Sequence, residues 1–288
     1  MGFVLKELKN VISIGEVANL HFFEFERNFF TENDRHPFCE LVFVSSGELY
    51  VSSEEYSGRL RKNEMIVHRA GERHSLSCTA ENAPTIIIIG FACSAEHILD
   101  FSRAPVLLRE GHVRQLAEIV KEGRNVFAPP YDIPTYDMKK KKRQPFGAEQ
   151  RLRMLLESFF IDLIRESSLG RATGEGAPVP RTAAIREVVQ YVDDNFLERI
   201  TLDELAFLFG TNRATLCKEF KGATGKTVLT YISDKKLVLA KARIAKTDLT
   251  FTEISEELGF ASVHYFTRFF KAKNGMTPKK YREIYRQK

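Results

Sequence analysis

The chain reads ISEELGFASVHYFTRFFKAKNGMTPKKY from residue 254 to residue 281, and part of this pattern occurs once before it. The earlier copy begins with LDELAFLFGTNRATLCKEF at residues 202–220. Five residues recur at an offset of fifty positions: Phe220, Lys221, Gly225, Thr227 and Tyr231 match Phe270, Lys271, Gly275, Thr277 and Tyr281. A repeat of this length predicts two copies of one supersecondary unit.

Each copy predicts two short helices joined by a tight turn. In the first, Thr201 precedes an apolar stripe and Glu204 follows three residues later, the capping-box arrangement of a helix start. Gly210 suits the end of this helix, and Asn212 suits the cap of the next one. The second copy repeats this order with a turn one residue longer. Both copies therefore predict a helix-turn-helix module.

The two second helices share buried residues but differ in the residues they expose, which predicts an asymmetric DNA target. The predicted DNA contacts are Arg213, Ala214, Thr215, Cys217 and Lys218 in the first module and Val263, His264, Thr267 and Arg268 in the second. A helical stretch from Thr227 to Lys246 separates the modules. If it holds them about 34 Å apart, one monomer reads a bipartite site in successive major-groove segments.

Residues from about 185 to 286 resemble the DNA-binding domain of the AraC/XylS family of bacterial transcription regulators. Gly-Phe, Tyr-Phe, Arg-x-Phe-Lys, Gly-Met-Thr-Pro and Tyr-Arg occur together in the second copy, in the family's order. The resemblance implies sequence-specific binding to double-stranded DNA at promoters, with RNA polymerase as a further partner. Three positions depart from the family's usual choice: Thr211, Lys236 and Arg243.

Charge agrees with DNA binding at one end of the chain. From Arg181 onward there are 20 Lys and Arg against 13 Asp and Glu, while the preceding residues carry 23 against 25. Lys and Arg that neutralise phosphates supply most non-specific DNA affinity. A basic half beside a nearly neutral half fits a sensor joined to a DNA binder.

The first half predicts a second domain of different character. Short β-rich runs recur with glycine-containing turns between them, typical of a small antiparallel barrel. They are His21–Phe25, Glu40–Val44, Glu48–Ser52, Glu64–His68, Ser75–Cys78 and Thr85–Phe91. We therefore expect a two-domain α+β protein: a barrel at 1–105, a helical extension at 106–169, a linker at 170–181 and an all-α domain with two helix-turn-helix modules at 182–288.

The pattern Asp34-x-His36-x-x-x-Glu40, six further residues and Gly47, then Gly71-x-x-His74, is similar to the two motifs of the cupin barrel. In metal-binding cupins the positions of Asp34, His36, Glu40 and His74 hold His, His, Glu and His, which bind iron, manganese or zinc. AraC-type sensor domains often use this barrel for an organic ligand instead. The sequence therefore predicts an effector site at His36, Glu40 and His74, with no metal or other cofactor required. Structural hydrogen bonding and a metal site at these four positions remain alternatives.

The effector class that the AraC/XylS resemblance makes most familiar is a sugar, although no residue demands one. Five aromatic residues, Phe22, Phe23, Phe25, Phe29 and Phe30, could line a cavity or form ordinary core. Helices are predicted over about Gly111–Lys121 and Glu149–Glu166, the second with a broad apolar stripe. Such stripes usually pack on their own domain, whereas in the resembled family helices at this place often pair two subunits. A homodimer is therefore a hypothesis.

The remaining features suit an intracellular protein. The run KKKKR at Lys139–Arg143 predicts a solvated loop, with a contact to DNA phosphates or an acidic partner as the alternative. Four cysteines show no metal or disulfide spacing. No apolar run is long enough for a membrane span, so we expect a cytoplasmic location and no membrane partner. The favoured function is a ligand-controlled transcription regulator and not an enzyme; the alternative is a metal-dependent cupin enzyme, a dioxygenase or isomerase, fused to a DNA-binding domain.

Overall fold

The computed structural model describes residues 4–31, 34–79, 83–93, 95–133, 137–168 and 184–285. The chain divides into two compact units, Met1–Pro178 and Val179–Lys288. The predicted linker at 170–181 lies outside the described residues. Within the described residues, no helix is both long enough and apolar enough to cross a bilayer.

The amino-terminal unit contains two antiparallel sheets. Its strands are β1 (Ile14–Glu24), β2 (Cys39–Ser46), β3 (Glu48–Ser53), β4 (Ser57–Arg61), β5 (Glu64–His68), β6 (His74–Ser77), β7 (Thr85–Cys93) and β8 (Val106–Leu107). The first sheet has the order β1-β7-β2-β5-β8 and the second β4-β3-β6. Six of these strands match the sequence prediction, whereas β4 and β8 are additional.

The predicted closed barrel is not what the described strands form. Strand β2 leads into β3 through Gly47, whose φ is +77°, and the chain there passes from one sheet to the other. No strand ladder joins the edges of the two sheets among the described residues, so the arrangement is an open two-sheet sandwich. Its core takes alternate residues of β2 and β7, such as Val42, Val44, Ile86 and Ile88, because alternate side chains share one face of a strand.

The aromatic cluster near β1 is mostly core. Phe23 and Phe25 are buried in the sandwich, with Phe29 packed against them at a ring-centroid distance of 4.1 Å from Phe25. Phe22 is also buried, while Phe30 is 67% exposed. Phe23, Phe25 and Phe29 therefore stabilise the sandwich as core residues, whereas Phe30 lies at the surface.

Helices cover the opposite face of the larger sheet. A 3-10 helix at Glu96–Ser102 precedes α1 (Glu110–Val126) and α2 (Ala148–Ser168). The apolar stripe of α2 packs inside its own unit: Leu156 and Phe160 are fully buried, and the Phe160 ring lies 5.2 Å from that of Phe91. The stripe therefore needs no second subunit to bury it, and the homodimer stays a prediction.

The carboxy-terminal unit is helical throughout its described residues. It contains α3 (Ala184–Asn195), α4 (Leu202–Leu208), α5 (Arg213–Thr224), α6 (Val228–Lys246), α7 (Phe251–Glu257), α8 (Val263–Asn274) and α9 (Pro278–Tyr285). Helices α4 and α5 form the first helix-turn-helix module and α7 and α8 the second, with α6 between them. Each module has its own apolar core, built around Leu216 and Phe220 in the first and Phe266 and Phe270 in the second.

Candidate nucleic-acid interface and interior histidine cluster

The second helices of the two modules begin and end in the same way. The side chain of Asn212 accepts the N–H of Thr215 at 2.9 Å, and the side chain of Ser262 accepts the N–H of Tyr265 at 3.2 Å. Both helices are twelve residues long and end at a left-handed glycine, Gly225 or Gly275. The repeat in sequence is thus a repeat in geometry.

The predicted DNA contacts divide into exposed and partly covered side chains. Arg213, Ala214, Cys217 and Lys218 are exposed on α5, and His264 and Arg268 are exposed on α8. The other three, Thr215, Val263 and Thr267, are half-buried, and the Thr267 hydroxyl donates to the carbonyl of Val263. Arg213 pairs with Asp203 at 3.1 Å. On α5, the exposed Lys218 and Lys221 have no ion pair with any described residue, so their charges are less compensated than that of Arg213.

Tyr265 is a surface residue that the sequence prediction missed. It lies in the first turn of α8, is 52% exposed, and has its ring centroid 6.0 Å from that of Phe260. The next residue, Phe266, is fully buried in the core of the module. Tyr265 stands beside His264 and adds a hydrogen-bonding aromatic side chain to the exposed surface of α8.

A junction of close contacts connects the second turn to the loop before α4. Gly259 has φ of +65°, and a Cβ added there would lie 2.1 Å from the carbonyl oxygen of Leu197. The same carbonyl accepts a hydrogen bond of 3.5 Å from the Nζ of Lys236, which belongs to α6. The Lys236 ammonium also lies over the ring of Phe260. Burial lowers the pKa of Lys236. The junction thus holds the loop before α4, the linker helix and the second turn together.

In the amino-terminal unit, His36, Glu40 and His74 converge as the sequence predicted. The Nε2 atom of His36 lies 3.3 Å from one carboxylate oxygen of Glu40, and the Nε2 atom of His74 lies 3.3 Å from the other. Backbone hydrogen bonds between Asp34 and His74, in both directions, hold the loop of His36 against β6. Local pairing therefore brings the two motifs into one site.

The tautomers of both histidines follow from their partners. The Nδ1 atom of His36 lies 2.9 Å from the carbonyl of Phe38, and that of His74 lies 3.2 Å from the carbonyl of Glu72. Because a carbonyl only accepts, each Nδ1 carries a proton and each Nε2 faces Glu40. The Phe38 ring stacks on His36 and sits over Gly90, where a Cβ would approach that ring to 2.7 Å.

The electrostatics of the cluster favour an ionised Glu40. Burial alone would raise the pKa of Glu40, but the hydrogen bonds and positive charge of His36 and His74 outweigh it and lower the pKa to about 2. For His74 burial opposes protonation, and contact with Glu40 prevails and raises its pKa. An ionised carboxylate therefore stands between two imidazoles inside the sandwich.

Two further histidines, His21 and His68, belong to the same interior and were missed by the sequence prediction. His68 faces Glu40 across β5 and β2, and its ring stacks on His74 at 4.2 Å. Burial, reinforced by the charge of His74, lowers the pKa of His68 to about 4, and burial also lowers that of His21. Both are at most 1% exposed. A backbone hydrogen bond with Tyr131 partly offsets the lowering at His21, whereas neither ring nitrogen of His68 has a hydrogen-bond partner among the described residues. Only the strand register shows that they face Glu40's side of the sheet.

A divalent cation is compatible with part of this donor set. Donor atoms of Asp34, His36 and His74 lie within 4.8 Å of one another. The Nδ1 protons of His36 and His74 are donated to carbonyls, which leaves Nε2 as the atom that would bind a metal. Asp34, His36, Glu40 and His74 are the residues that would hold it, and the cation would then supply Lewis acidity.

The described cavities lie elsewhere in each unit. An open recess of about 920 Å³ runs along the start of β1 and α2 and includes Phe38, Lys140 and Glu149. A second of about 490 Å³ lies between α1 and α2. None of the described cavities is lined by His36, Glu40 or His74, whose side chains pack against one another.

Comparison with known proteins shows which kind of domain the carboxy-terminal unit contains. Residues 205–284 match the family model described as Helix-turn-helix domain. The chain is 25% identical over 256 residues to the HTH-type transcriptional regulator YfiF of Bacillus subtilis, with 88% of this chain and 79% of that relative aligned. It is 32% identical over 101 residues to the xylose operon regulatory protein of Escherichia coli, covering 35% of this chain and 26% of that protein.

Among solved structures, the carboxy-terminal domain of the two-component response regulator yesN from Fusobacterium nucleatum is 28% identical. The alignment covers 35% of this chain and 99% of that domain, with a TM-score of 0.34. The two modules and the family match define a DNA-binding protein of the helix-turn-helix class. Beyond this domain, the chain is similar along most of its length to a protein named as an HTH-type transcriptional regulator.

Proposed function

We propose that this regulator reads a bipartite double-stranded DNA site with α5 and α8, and that a small molecule bound in the amino-terminal unit controls the binding. The observation that carries the first part is the geometric repeat. Helices α5 and α8 have equal length and equivalent caps, yet expose different side chains at equivalent positions. Two like scaffolds with unlike surfaces suit two different half-sites.

The charge and exposure of α8 favour it as the more informative reader. His264 and Arg268 are exposed one turn apart, whereas α5 offers the short side chains of Ala214 and Cys217. Arg pairs with guanine through two hydrogen bonds, and such a pair discriminates between bases. We therefore expect base recognition to be concentrated on α8.

Replacing Arg268 or His264 with Ala should weaken binding to the specific site by ~1 to 3 kcal/mol, the usual contribution of a base contact. Fluorescence anisotropy at one fixed salt concentration, with the specific duplex and a scrambled duplex, measures this. Both variants should keep their affinity for the scrambled duplex. An equal loss on both duplexes would mean that these side chains touch only phosphates.

The bipartite site itself is tested by selection from a random DNA library with the full-length protein. Enrichment of two unlike half-sites at one spacing supports the proposal. Enrichment of a single short half-site, from protein shown to be folded, would contradict it.

Because the proposed regulator acts on promoter DNA, we propose that it works in the cytoplasm and that RNA polymerase is a further partner.

The effector site is proposed at His36, Glu40 and His74, with His21 and His68 behind them. Buried polar groups normally have partners, so the unpartnered ring nitrogens of His68 support a bound molecule that supplies one. A ligand with hydroxyl groups, such as a sugar, can both donate to and accept from neutral imidazoles. Binding of this ligand would change the affinity for DNA only if the ligand binds the DNA-competent and DNA-incompetent states of the protein with different affinities.

His36→Ala and His74→Ala should leave basal DNA affinity intact and abolish the response to effector. Thermal-shift screening of a metabolite panel supplies the effector, and anisotropy with the selected duplex measures the response. His97 is an exposed histidine outside the cluster, so His97→Ala is the matched control. Variants that unfold the amino-terminal unit would assign these histidines to structure alone.

The alternative function, a metal-dependent enzyme, has one observation in its favour, the grouping of Asp34, His36 and His74. Metal analysis of protein purified without chelator distinguishes the two. One bound transition metal per chain, lost in His74→Ala, would favour the alternative. We propose no enzymatic activity for the chain, and we propose that a homodimer, if formed, uses surfaces other than the buried stripe of α2.

A further inference from the structure

An exposed phenylalanine stands at the tip of a fixed turn before α2. The N–H of Ala148 donates to the carbonyl of Pro145 at 3.2 Å, and Gly147 between them has φ of +72°. The carbonyl of Gly147 accepts the N–H of Arg151 and so begins the helix. Phe146 is 107% exposed. Its ring therefore projects into solvent from a backbone that hydrogen bonds hold in place.

The segment before this turn is anchored as well. Ala128 donates to the carbonyl of Lys139 at 2.8 Å, and Lys141 donates to the carbonyl of Val126 at 2.7 Å. Between β7 and α2, Met138 is buried, and its sulfur accepts the N–H of Leu20. We call residues 139–147 the basic loop. Its backbone is tied to the end of α1, so its side chains are presented in a fixed arrangement.

The basic loop carries uncompensated positive charge beside Phe146. Lys139, Lys142 and Arg143 are exposed and make no ion pair with any described residue, whereas Lys140 pairs with Glu149 at 2.6 Å. Clustered like charges repel one another, so this concentration does not stabilise the loop. The recess of about 920 Å³ begins at Lys140 and Glu149 and gives the surface a concave neighbour.

Neither folding nor turn geometry accounts for the aromatic residue. Leaving a phenylalanine in water forgoes the stabilisation that its burial would contribute. The position before a left-handed glycine in such a turn accepts most residues and favours proline. An exposed aromatic ring surrounded by cations instead matches a binding surface, in which one aromatic anchor is ringed by polar groups.

We propose that the basic loop is a docking surface for an acidic protein segment with an apolar pocket that receives Phe146. Complementary charge steers such a partner to Lys139, Lys142 and Arg143 and fixes its register. The ring contributes the desolvated contact at the centre. A DNA backbone would use the cations but leave the ring exposed, so the aromatic residue favours a protein partner over phosphates.

Random peptides displayed on phage, selected on the full-length protein, test this surface. We expect enrichment of peptides rich in Asp and Glu that also carry a large apolar residue. Phe146→Ser should lower the affinity for the selected peptides at least about tenfold. Phe30→Ser is the matched control, because Phe30 is 67% exposed elsewhere in the same unit. Phe30→Ser should keep the wild-type affinity for the peptides. Both variants should keep the wild-type melting temperature.

Charge reversal completes the test. Lys142→Glu combined with Arg143→Glu should abolish binding of the acidic peptides. Absence of acidic enrichment, or equal binding by wild type and Phe146→Ser, overturns the proposal. Two defined probes test for other binding partners. Binding to phosphatidylglycerol vesicles that depends on Phe146 would show that the basic loop binds a lipid surface. An affinity for duplex DNA that falls on charge reversal, but not in Phe146→Ser, would show that the loop binds phosphates.

Discussion

Gly259→Ala should destabilise the carboxy-terminal unit by about 2 to 5 kcal/mol, because two costs combine at one position. The left-handed backbone, with φ of +65°, costs a residue with a Cβ ~1 to 2 kcal/mol. The Cβ would also lie 2.1 Å from the carbonyl oxygen of Leu197, a backbone atom that cannot rotate away. Overpacking of this kind adds ~1 to 3 kcal/mol.

The matched control is Gly210→Ala in the first module. Gly210 also has a left-handed backbone, with φ of +58°, but a Cβ there would meet no atom within 4 Å. Its expected cost is only the conformational part, ~1 to 2 kcal/mol. Urea denaturation of the full-length protein, followed by circular dichroism of the helical signal, measures both variants. Equal losses in the two variants would show that the Leu197 contact is unimportant.

The same substitution should change DNA recognition. Displacing the Leu197 carbonyl also removes the hydrogen-bond acceptor of the buried Lys236 ammonium, so the loop before α4 and the second turn lose their common anchor. We therefore expect Gly259→Ala to lose preference for one half-site spacing, in addition to stability. Gly210→Ala should keep that preference, which repeated library selection with both variants would show.

Acidification from pH 7 to pH 4 should destabilise the amino-terminal unit, with His68 contributing about 3 kcal/mol of the loss. Its pKa of about 4 in the folded protein lies below the ordinary 6.5, so the unfolded chain binds more protons between these values. The free energy of unfolding therefore falls as the pH drops below 6.5. The part of this loss that comes from His68 ends near pH 4. A difference of about 2.5 pKa units corresponds to about 3 kcal/mol.

Other groups in the cluster modify this dependence in known directions. The lowered pKa of His21 acts in the same sense as that of His68. The raised pKa of His74 acts oppositely, since its contribution is present in acid and is lost as pH rises through the folded value. Glu40, with a pKa of about 2, contributes above 4.5, and this contribution is lost as pH falls toward 2.

His68→Leu isolates the effect of the unpaired imidazole. Leucine fills a similar volume and has nothing to protonate, so this variant should match the wild type at pH 7 and lose much less stability at pH 4. His97→Leu, at an exposed position, should keep the wild-type dependence. Thermal melts across this range, in the presence of a chelator, measure all three proteins. A slope unchanged by His68→Leu would place the acid sensitivity at another group.

Local signals in the sequence were sufficient for most of the carboxy-terminal unit. Thr201, Asn212 and Ser262 mark helix starts because their side chains accept backbone N–H groups within three residues, and the structure contains all three caps. The linker helix was predicted to begin at Thr227, which is its cap in the structure. Such features depend on neighbours in the chain and are therefore readable without tertiary information.

The sandwich shows the opposite case. Its strands were largely predicted from alternation, but the described strands do not confirm a closed barrel, because closure depends on pairing between strands far apart in sequence. Strand β4, which was missed, has only Leu60 buried among its five residues and so lacks an apolar pattern. His21 and His68 were missed for a related reason: in strands with nearly continuous burial, the sequence does not show which of the two faces points into the sandwich.

By itself the sequence determined the two helix-turn-helix modules, the exposure of six of their nine predicted contact residues, and the convergence of His36, Glu40 and His74, since caps, periodicity and short motifs express local physics. Only the tertiary structure decided that the α2 stripe is core, that two further imidazoles lie on the same side of the sheet as Glu40, and that Gly259 faces the Leu197 carbonyl. Each of these depends on a close approach between distant segments, which packing fixes and no local pattern encodes.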